Sequence, residues 1–120
     1  MKFVIGGQIE KEKIADAVRR LAGEKATSIS IMNDIEAAMS IKSGQADIYL
    51  GACNTGGGGA LAMAIAIIGM DKCATVGMPG KILSDDEIAA CIKAGKIAFG
   101  FTGQDIDAVV PVIVNTLFSQ

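Results

Sequence analysis

The stretch that decides the reading runs Asp47-Ile48-Tyr49-Leu50-Gly51-Ala52-Cys53-Asn54-Thr55-Gly56-Gly57-Gly58-Gly59, and then Ala60-Leu61-Ala62-Met63-Ala64-Ile65-Ala66-Ile67-Ile68. Asp47 to Leu50 has the length and apolar character of a buried strand. Gly51 then opens a glycine-rich loop, and an apolar helix is predicted from about Gly59 to Met70. Strand, glycine loop and helix in that order form one unit of a parallel α/β sheet.

The same rhythm extends in both directions. Residues 2–5 read as a first strand stopped by Gly6-Gly7. The next segment gathers Ile14, Ala17, Val18 and Leu21 on one helical face and ends at Gly23. Thr27 to Met32 is the second strand, and Asn33 with Glu36 opens a helix carrying Ile35, Ala38 and Met39 inward. After the central unit come a fourth strand, Cys73 to Val76, and a turn-rich connection, Gly77 to Lys81. Ser84 and Glu87 then start a helix burying Ile88, Cys91 and Ile92. Ile97 to Phe101 is the fifth strand, and a last helix covers about Gln104 to Phe118, with Pro111 expected to kink or restart it.

Five such units in 120 residues predict one domain: a three-layer α/β sandwich on a five-stranded parallel sheet, Rossmann-like or flavodoxin-like, in the order 2-1-3-4-5. About half the chain is apolar (51%), charged residues make up 20% and aromatic residues 4%, with a net charge of −2. A slightly acidic, aromatic-poor surface without a basic run lacks the footprint of a nucleic-acid binder. The apolar stretch Ala60 to Ile68 would span roughly 14 Å as a helix, against ~30 Å for a bilayer core, so no membrane insertion is expected. The first residues do not read as a signal peptide, and the expected compartment is the cytoplasm. Cys53, Cys73 and Cys91 are widely spaced and the chain has no histidine, a pattern that calls for neither disulfide framework nor metal site. No cofactor is expected. Cys73 and Cys91 read as small buried hydrophobes.

In a doubly wound sheet, ligands gather outside the carboxyl ends of the strands where the strand order reverses. The predicted order puts that reversal between strands 1 and 3. One wall of the crevice would be Gly6, Gly7 and Gln8, and the other Gly51 to Gly59. Four consecutive glycines are costly in chain entropy, and their exposed N–H groups ahead of a helix would favour a phosphate or carboxylate. The predicted ligand-binding residues are therefore Gly7, Gln8, Asn54, Thr55, Gly56, Gly57, Gly58 and Gly59, with Asp34 after the second strand and Lys81 after the fourth. Thr102 and Gly103 are weaker candidates of the same kind. Cys53 is the candidate catalytic group, because a thiol near a helix N-terminus can have its pKa lowered into the reactive range. Flexible surface loop and backbone-to-backbone packing are the alternative readings of the glycine run. Asp85, Asp86 and Glu87 read as first-turn acids that complement the helix dipole.

Cys53-Asn54-Thr55-Gly56-Gly57-Gly58 resembles the Cys-Gly-Thr-Gly-x-Gly loop of the ribose-5-phosphate isomerase B group of sugar-phosphate isomerases. That resemblance implies Cys53 as the base that moves a proton between sugar carbons, Thr55 as a substrate or base-orienting hydroxyl, and Gly56 and Gly58 as a backbone cradle. The isomerases carry Asp-His after the first strand where this chain has Gly7-Gln8, and Ala62-Met63-Ala64 replaces their Ala-Asn-Lys. Over nearly its whole length the chain is similar to a small bacterial family of uncharacterised, YhfU-like proteins. That similarity rests on Asn33-Asp34-Ile35-Glu36-Ala37-Ala38-Met39, Lys42-Ser43-Gly44-Gln45, Gly51 to Gly56 and Gly95-Lys96-Ile97-Ala98-Phe99-Gly100, and it implies membership without an activity. The expected function is binding of a small anionic metabolite, a sugar phosphate or carboxylate, with isomerase-like chemistry; the alternative is a non-catalytic accessory or regulatory subunit of a transport or metabolic system. The helix over residues 60–70 lacks the polar stripe of a monomer's surface helix, which predicts a homo-oligomer formed through Met63, Ile67 or Met70.

Overall fold

The computed structural model describes residues 1–54 and 59–119. Strands β1 (Lys2–Gly7), β2 (Ser28–Ile31), β3 (Ile48–Cys53), β4 (Cys73–Thr75) and β7 (Ala98–Thr102) form one five-stranded parallel sheet. β5 (Gly77–Met78) and β6 (Lys81–Ile82) form a separate antiparallel hairpin. The helices are α1 (Lys11–Ala22), α2 (Asp34–Lys42), α3 (Ala62–Ile68), α4 (Asp85–Lys93) and α5 (Ile106–Leu117).

Strand side chains alternate between the two faces of the sheet. Phe3, Ile5, Ile48, Leu50, Phe99 and Phe101 pack on one face with apolar residues of α1, α4 and α5. Val4, Tyr49, Cys73 and Ala98 face the other way, against α2 and α3. This makes the three layers expected from the sequence.

The sheet order is β2-β1-β3-β7-β4, which corrects the predicted order at one end: the fifth parallel strand lies inside the fourth. The reason lies in the two strands. β7 is buried along its whole length and offers Phe99 and Phe101, whereas β4 has three residues of which only Cys73 is buried. The longer, more apolar strand takes the position covered on both faces, and the short one takes the edge.

Several boundaries also move. Gly6 and Gly7 continue β1, and Gly51 to Cys53 continue β3, because these segments pair with each other in register, Gly6 with Gly51 and Gly7 with Ala52. The connection Gly77 to Lys81 folds into the β5–β6 hairpin around Pro79-Gly80, with Gly80 at φ +76°. Gly59 and Ala60 form a turn, so α3 starts at Ala62, and Gly69 at φ 98° ends it before Met70. Pro111 lies within α5, which runs through it to Leu117. Ile35 and Met39, expected to point inward, are 56% and 50% exposed; Ala38 is buried as expected, and α2 buries Ala37, Ser40 and Ile41 with it.

Other readings hold in detail. Asn33 accepts a hydrogen bond from the Glu36 N–H at 2.8 Å and caps α2. Ser84 and Glu87 form a reciprocal capping box at α4. Among the described residues, no helix is long and apolar enough to cross a membrane.

The interior strand β7 and the edge strand β4 should differ sharply in sensitivity. Phe99→Ala should cost about 3–5 kcal/mol, as for a buried aromatic, whereas Thr75→Ala on half-exposed β4 should cost under about 1 kcal/mol. Urea unfolding of the two variants checks the placement of β7 inside β4.

Candidate functional site

Parallel crossovers are right-handed, so the side taken by each connecting helix follows from strand order. From β1 the chain crosses by α1 to β2, and from β3 it crosses the other way by α3 to β4. Their ends therefore part at the carboxyl edge of β1 and β3, as the sequence reading expected. With β7 beside β3, a second parting arises there, since α5 leaves β7 on the α1 side. β3 stands between two such openings.

A depression of about 560 Å3 lies at this edge, lined by Ile9, Glu10, Lys13, Asn54, Thr102, Gly103 and Gln104. Asn54 follows β3 directly and is exposed. Register sets Cys53 beside Thr102, and both are 1% exposed. The Thr102 hydroxyl donates to the Asp105 carboxylate at 2.5 Å, which fixes the turn after β7. Glu10, the residue before α1, has φ 56°, a left-handed conformation that costs a non-glycine residue roughly 1–2 kcal/mol. Lys13 sits 3.6 Å from Asp107, with both side chains well exposed, so the pair leaves its ammonium accessible.

Of the predicted site residues, Asn54 lines this depression, together with the weaker candidates Thr102 and Gly103. Gln8 donates its backbone N–H to the Ala52 carbonyl at 2.9 Å, and its side chain lies against Gly59, where a Cβ would stand 2.7 Å from the Gln8 Oε1. Gly7 is held at φ +76°, where a Cβ would be 2.6 Å from the Ala52 nitrogen. Thr55, Gly56, Gly57 and Gly58 lie outside the described residues. Cys53 is buried on the α2/α3 side of β3, and the described lining does not include it. Lys81 lines a neighbouring depression of about 380 Å3 with Met78, Gly80, Ile82, Gln104 and Asp105, separated from β3 by the width of β7. Asp34 lies on the other side of the sheet, beside Asn33, Ile35, Glu36 and Met63.

Sequence reasoning missed Tyr49. Its ring is fully buried and occupies the space above Gly6 and Gly51, where added Cβ atoms would fall 2.6 and 3.1 Å from the ring. The phenol donates to the Ala60 carbonyl at 2.7 Å and accepts the Gly7 N–H at 3.1 Å. Burial above all pushes its pKa up from 10.0 to about 12; the Gly7 N–H pulls it down, and the Asp34 carboxylate raises it again. Ile9, Glu10, Lys13 and Gln104 were missed too; Gln104 could be found only from the actual neighbour of β3, since it follows β7.

These features define a small α/β protein with an open polar crevice at the carboxyl edge of its sheet. The chain belongs to the family described as protein of unknown function DUF2620, whose model matches residues 1–117. It is 41% identical over 117 residues to the uncharacterized protein YhfU of Escherichia coli strain K12, covering 98% of this chain and 99% of that one, and equally to YhfU of Shigella flexneri. Among solved structures, ribose-5-phosphate isomerase B RpiB from Giardia lamblia matches with a TM-score of 0.63 at 16% identity, over 100% of this chain and 88% of that one. At that identity the likeness is one of fold.

Two outcomes follow from the packing around Tyr49. Gly7→Ala should destabilise by more than the roughly 1–2 kcal/mol of a left-handed alanine, since its Cβ would also strike Ala52; denaturant unfolding measures this. A phenol whose pKa is raised on folding contributes stability that is complete below pH 10 and lost as pH rises to about 12. Over that window the fold should lose on the order of 2–3 kcal/mol. The protein has a single tyrosine, so absorbance at ~295 nm, where phenolate absorbs, reports its ionisation alongside unfolding.

Proposed function

We propose that the protein binds a small anionic metabolite, a sugar phosphate or sugar-derived carboxylate, in the crevice at the carboxyl edge of β1, β3 and β7. The observation that carries this reading is the depression bounded by Asn54, Gln104, Glu10 and Lys13 beside a reversal of strand order, the place where open α/β sheets bind ligands. Its chemistry suits a ligand with several hydroxyls and one anionic end. The amides of Asn54 and Gln104 donate and accept, the Glu10 carboxylate accepts from hydroxyls, and Lys13 meets the charge. The fold shared with a ribose-5-phosphate isomerase supports the same ligand class. Residues Thr55 to Gly58 would add backbone donors from the glycine run.

On this reading binding does not require turnover. Isomerase-like chemistry would use Cys53 as base, and the 1% exposure of that residue together with the lack of histidine favours the alternative, a non-catalytic accessory or regulatory subunit working in the cytoplasm. Self-association is part of the proposal. α3 carries no polar side chain, and Ile35, Met39 and Met70 are 56%, 50% and 71% exposed, apolar surface suited to a second copy of the chain.

A thermal-shift screen with sugar phosphates, sugar acids and nucleotides tests the ligand class. A true ligand at a hundred times its Kd should stabilise by about 2.7 kcal/mol, and Asn54→Ala, at an exposed position, should weaken binding by about tenfold, the loss of one or two hydrogen bonds, without changing the unliganded midpoint. No shift with any sugar phosphate or acid contradicts the proposal. Light scattering at micromolar concentration should give a mass above that of one chain, and Ile35→Glu with Met39→Glu should return it to 12.3 kDa.

A further inference from the structure

We infer that Tyr49 is the positioning residue of this crevice: its hydroxyl ties the end of β1 to the chain just beyond the glycine run and so fixes one wall against the other. The consequence for ligand binding rests on the function proposed above; the tie itself belongs to the free protein.

The phenol oxygen makes two bonds that bridge distant segments. It accepts the Gly7 N–H, 42 residues away in sequence, and donates to the Ala60 carbonyl, 11 residues on. The second bond closes the chain from Tyr49 to Ala60 into a loop. One end of the glycine run is covalently continuous with β3 through Cys53 and Asn54, and the other end is held to that same strand by the tyrosine. The first bond holds Gly7 at the neck of the loop, with Gln8 seated on Gly59 directly above.

A merely space-filling role would need only the ring. Phenylalanine would fill the slot over Gly6 and Gly51 equally well, without burying a hydroxyl. The hydroxyl instead satisfies one buried donor and one buried acceptor, and buried backbone polar groups require partners. The surrounding glycines serve the same arrangement. Side chains at Gly6 and Gly51 would strike the ring, so their absence lets an aromatic residue lie flat across two strands and reach both backbone groups. The geometry thus gives two glycines of this region a role in the tie itself: Gly6 and Gly51 make room for the tyrosine.

Tyr49→Phe keeps the ring and removes both bonds. Three measurements on the full chain decide the matter: urea unfolding, amide hydrogen exchange of the unliganded protein, and titration with inorganic phosphate followed by amide shifts. After correction for global stability, exchange should rise by about tenfold at Gly7 and at Gly59 to Leu61, the effect of losing one hydrogen bond. The amides of Ile5 and Leu50, in the same strands, should change only with global stability. The apparent Kd for phosphate should rise by a similar factor, about tenfold. An increase that is uniform along β1 and β3, or none, overturns the inference, as does an unchanged Kd in a variant whose wild type binds phosphate. If the wild type shows no phosphate shifts, the exchange pattern alone decides for or against the tie, and the failure falls on the ligand reading. If Tyr49→Phe does not fold, Ala60→Pro leaves the tyrosine in place while distorting its acceptor; local opening at Gly7 and Leu61 supports the tie, and its absence refutes it.

Discussion

The handedness of the crossovers is the constraint on which the rest of this structure depends. A right-twisted sheet accepts only right-handed β–α–β connections, so each step along the sheet dictates the face on which its helix lies. Steps in one direction, β1 to β2 and β4 to β7, send α1 and α4 to one face; steps in the other, β2 to β3 and β3 to β4, send α2 and α3 to the opposite face. β3 is then flanked on both sides by strands whose chains depart on the face it avoids. The crevice at its carboxyl end follows from topology before any side chain is considered.

Side chains then give the crevice its character. Tyr49 fills the α2/α3 side of β3 and spans to β1, supported by Gly6 and Gly51. The opposite side stays open at Asn54 and is walled by the turn that Thr102 and Asp105 hold after β7. A buried aromatic clamp on one side and exposed amides on the other give a rigid floor with a polar, accessible mouth. Rigid support beneath adaptable polar groups is what precise recognition of a small ligand requires.

The local features were the most legible in the sequence. The helix starts at Asn33 and Ser84 are set by side-chain-to-backbone bonds within three residues, and such signals need no knowledge of the rest of the fold. The β–α rhythm and the parting between β1 and β3 were likewise legible. Strand order beyond β3 was not, because it is decided by which of two distant strands gains more from a central position. The glycines misled for a related reason. Gly6, Gly7 and Gly51 look like strand terminators, yet they pair within β1 and β3, where a side chain at Gly6 or Gly51 would strike the Tyr49 ring and one at Gly7 the Ala52 backbone. Lys81 was drawn toward the site by the wrong neighbour relation, and Gln104 was overlooked for the same cause. Ile35, Ala38 and Met39 fit a helical stripe, but only Ala38 of the three is buried, in company with Ala37, Ser40 and Ile41.

The described residues on either side of the glycine run are both anchored at β3: Cys53 ends that strand, the Ala60 carbonyl accepts the Tyr49 hydroxyl, and the polar groups of Asn54 and Gln104 open beside the strand end. The central claim is that this edge receives a small anionic ligand. Mapping backbone amide shifts while titrating ribose 5-phosphate into the isotopically labelled protein tests it most directly. Saturable shifts confined to Gly7 to Lys13, Asn54 to Gly59 and Thr102 to Gln104 are predicted. Saturable shifts centred elsewhere, such as around Ile35 and Met39, or no saturable shifts at all, would contradict it.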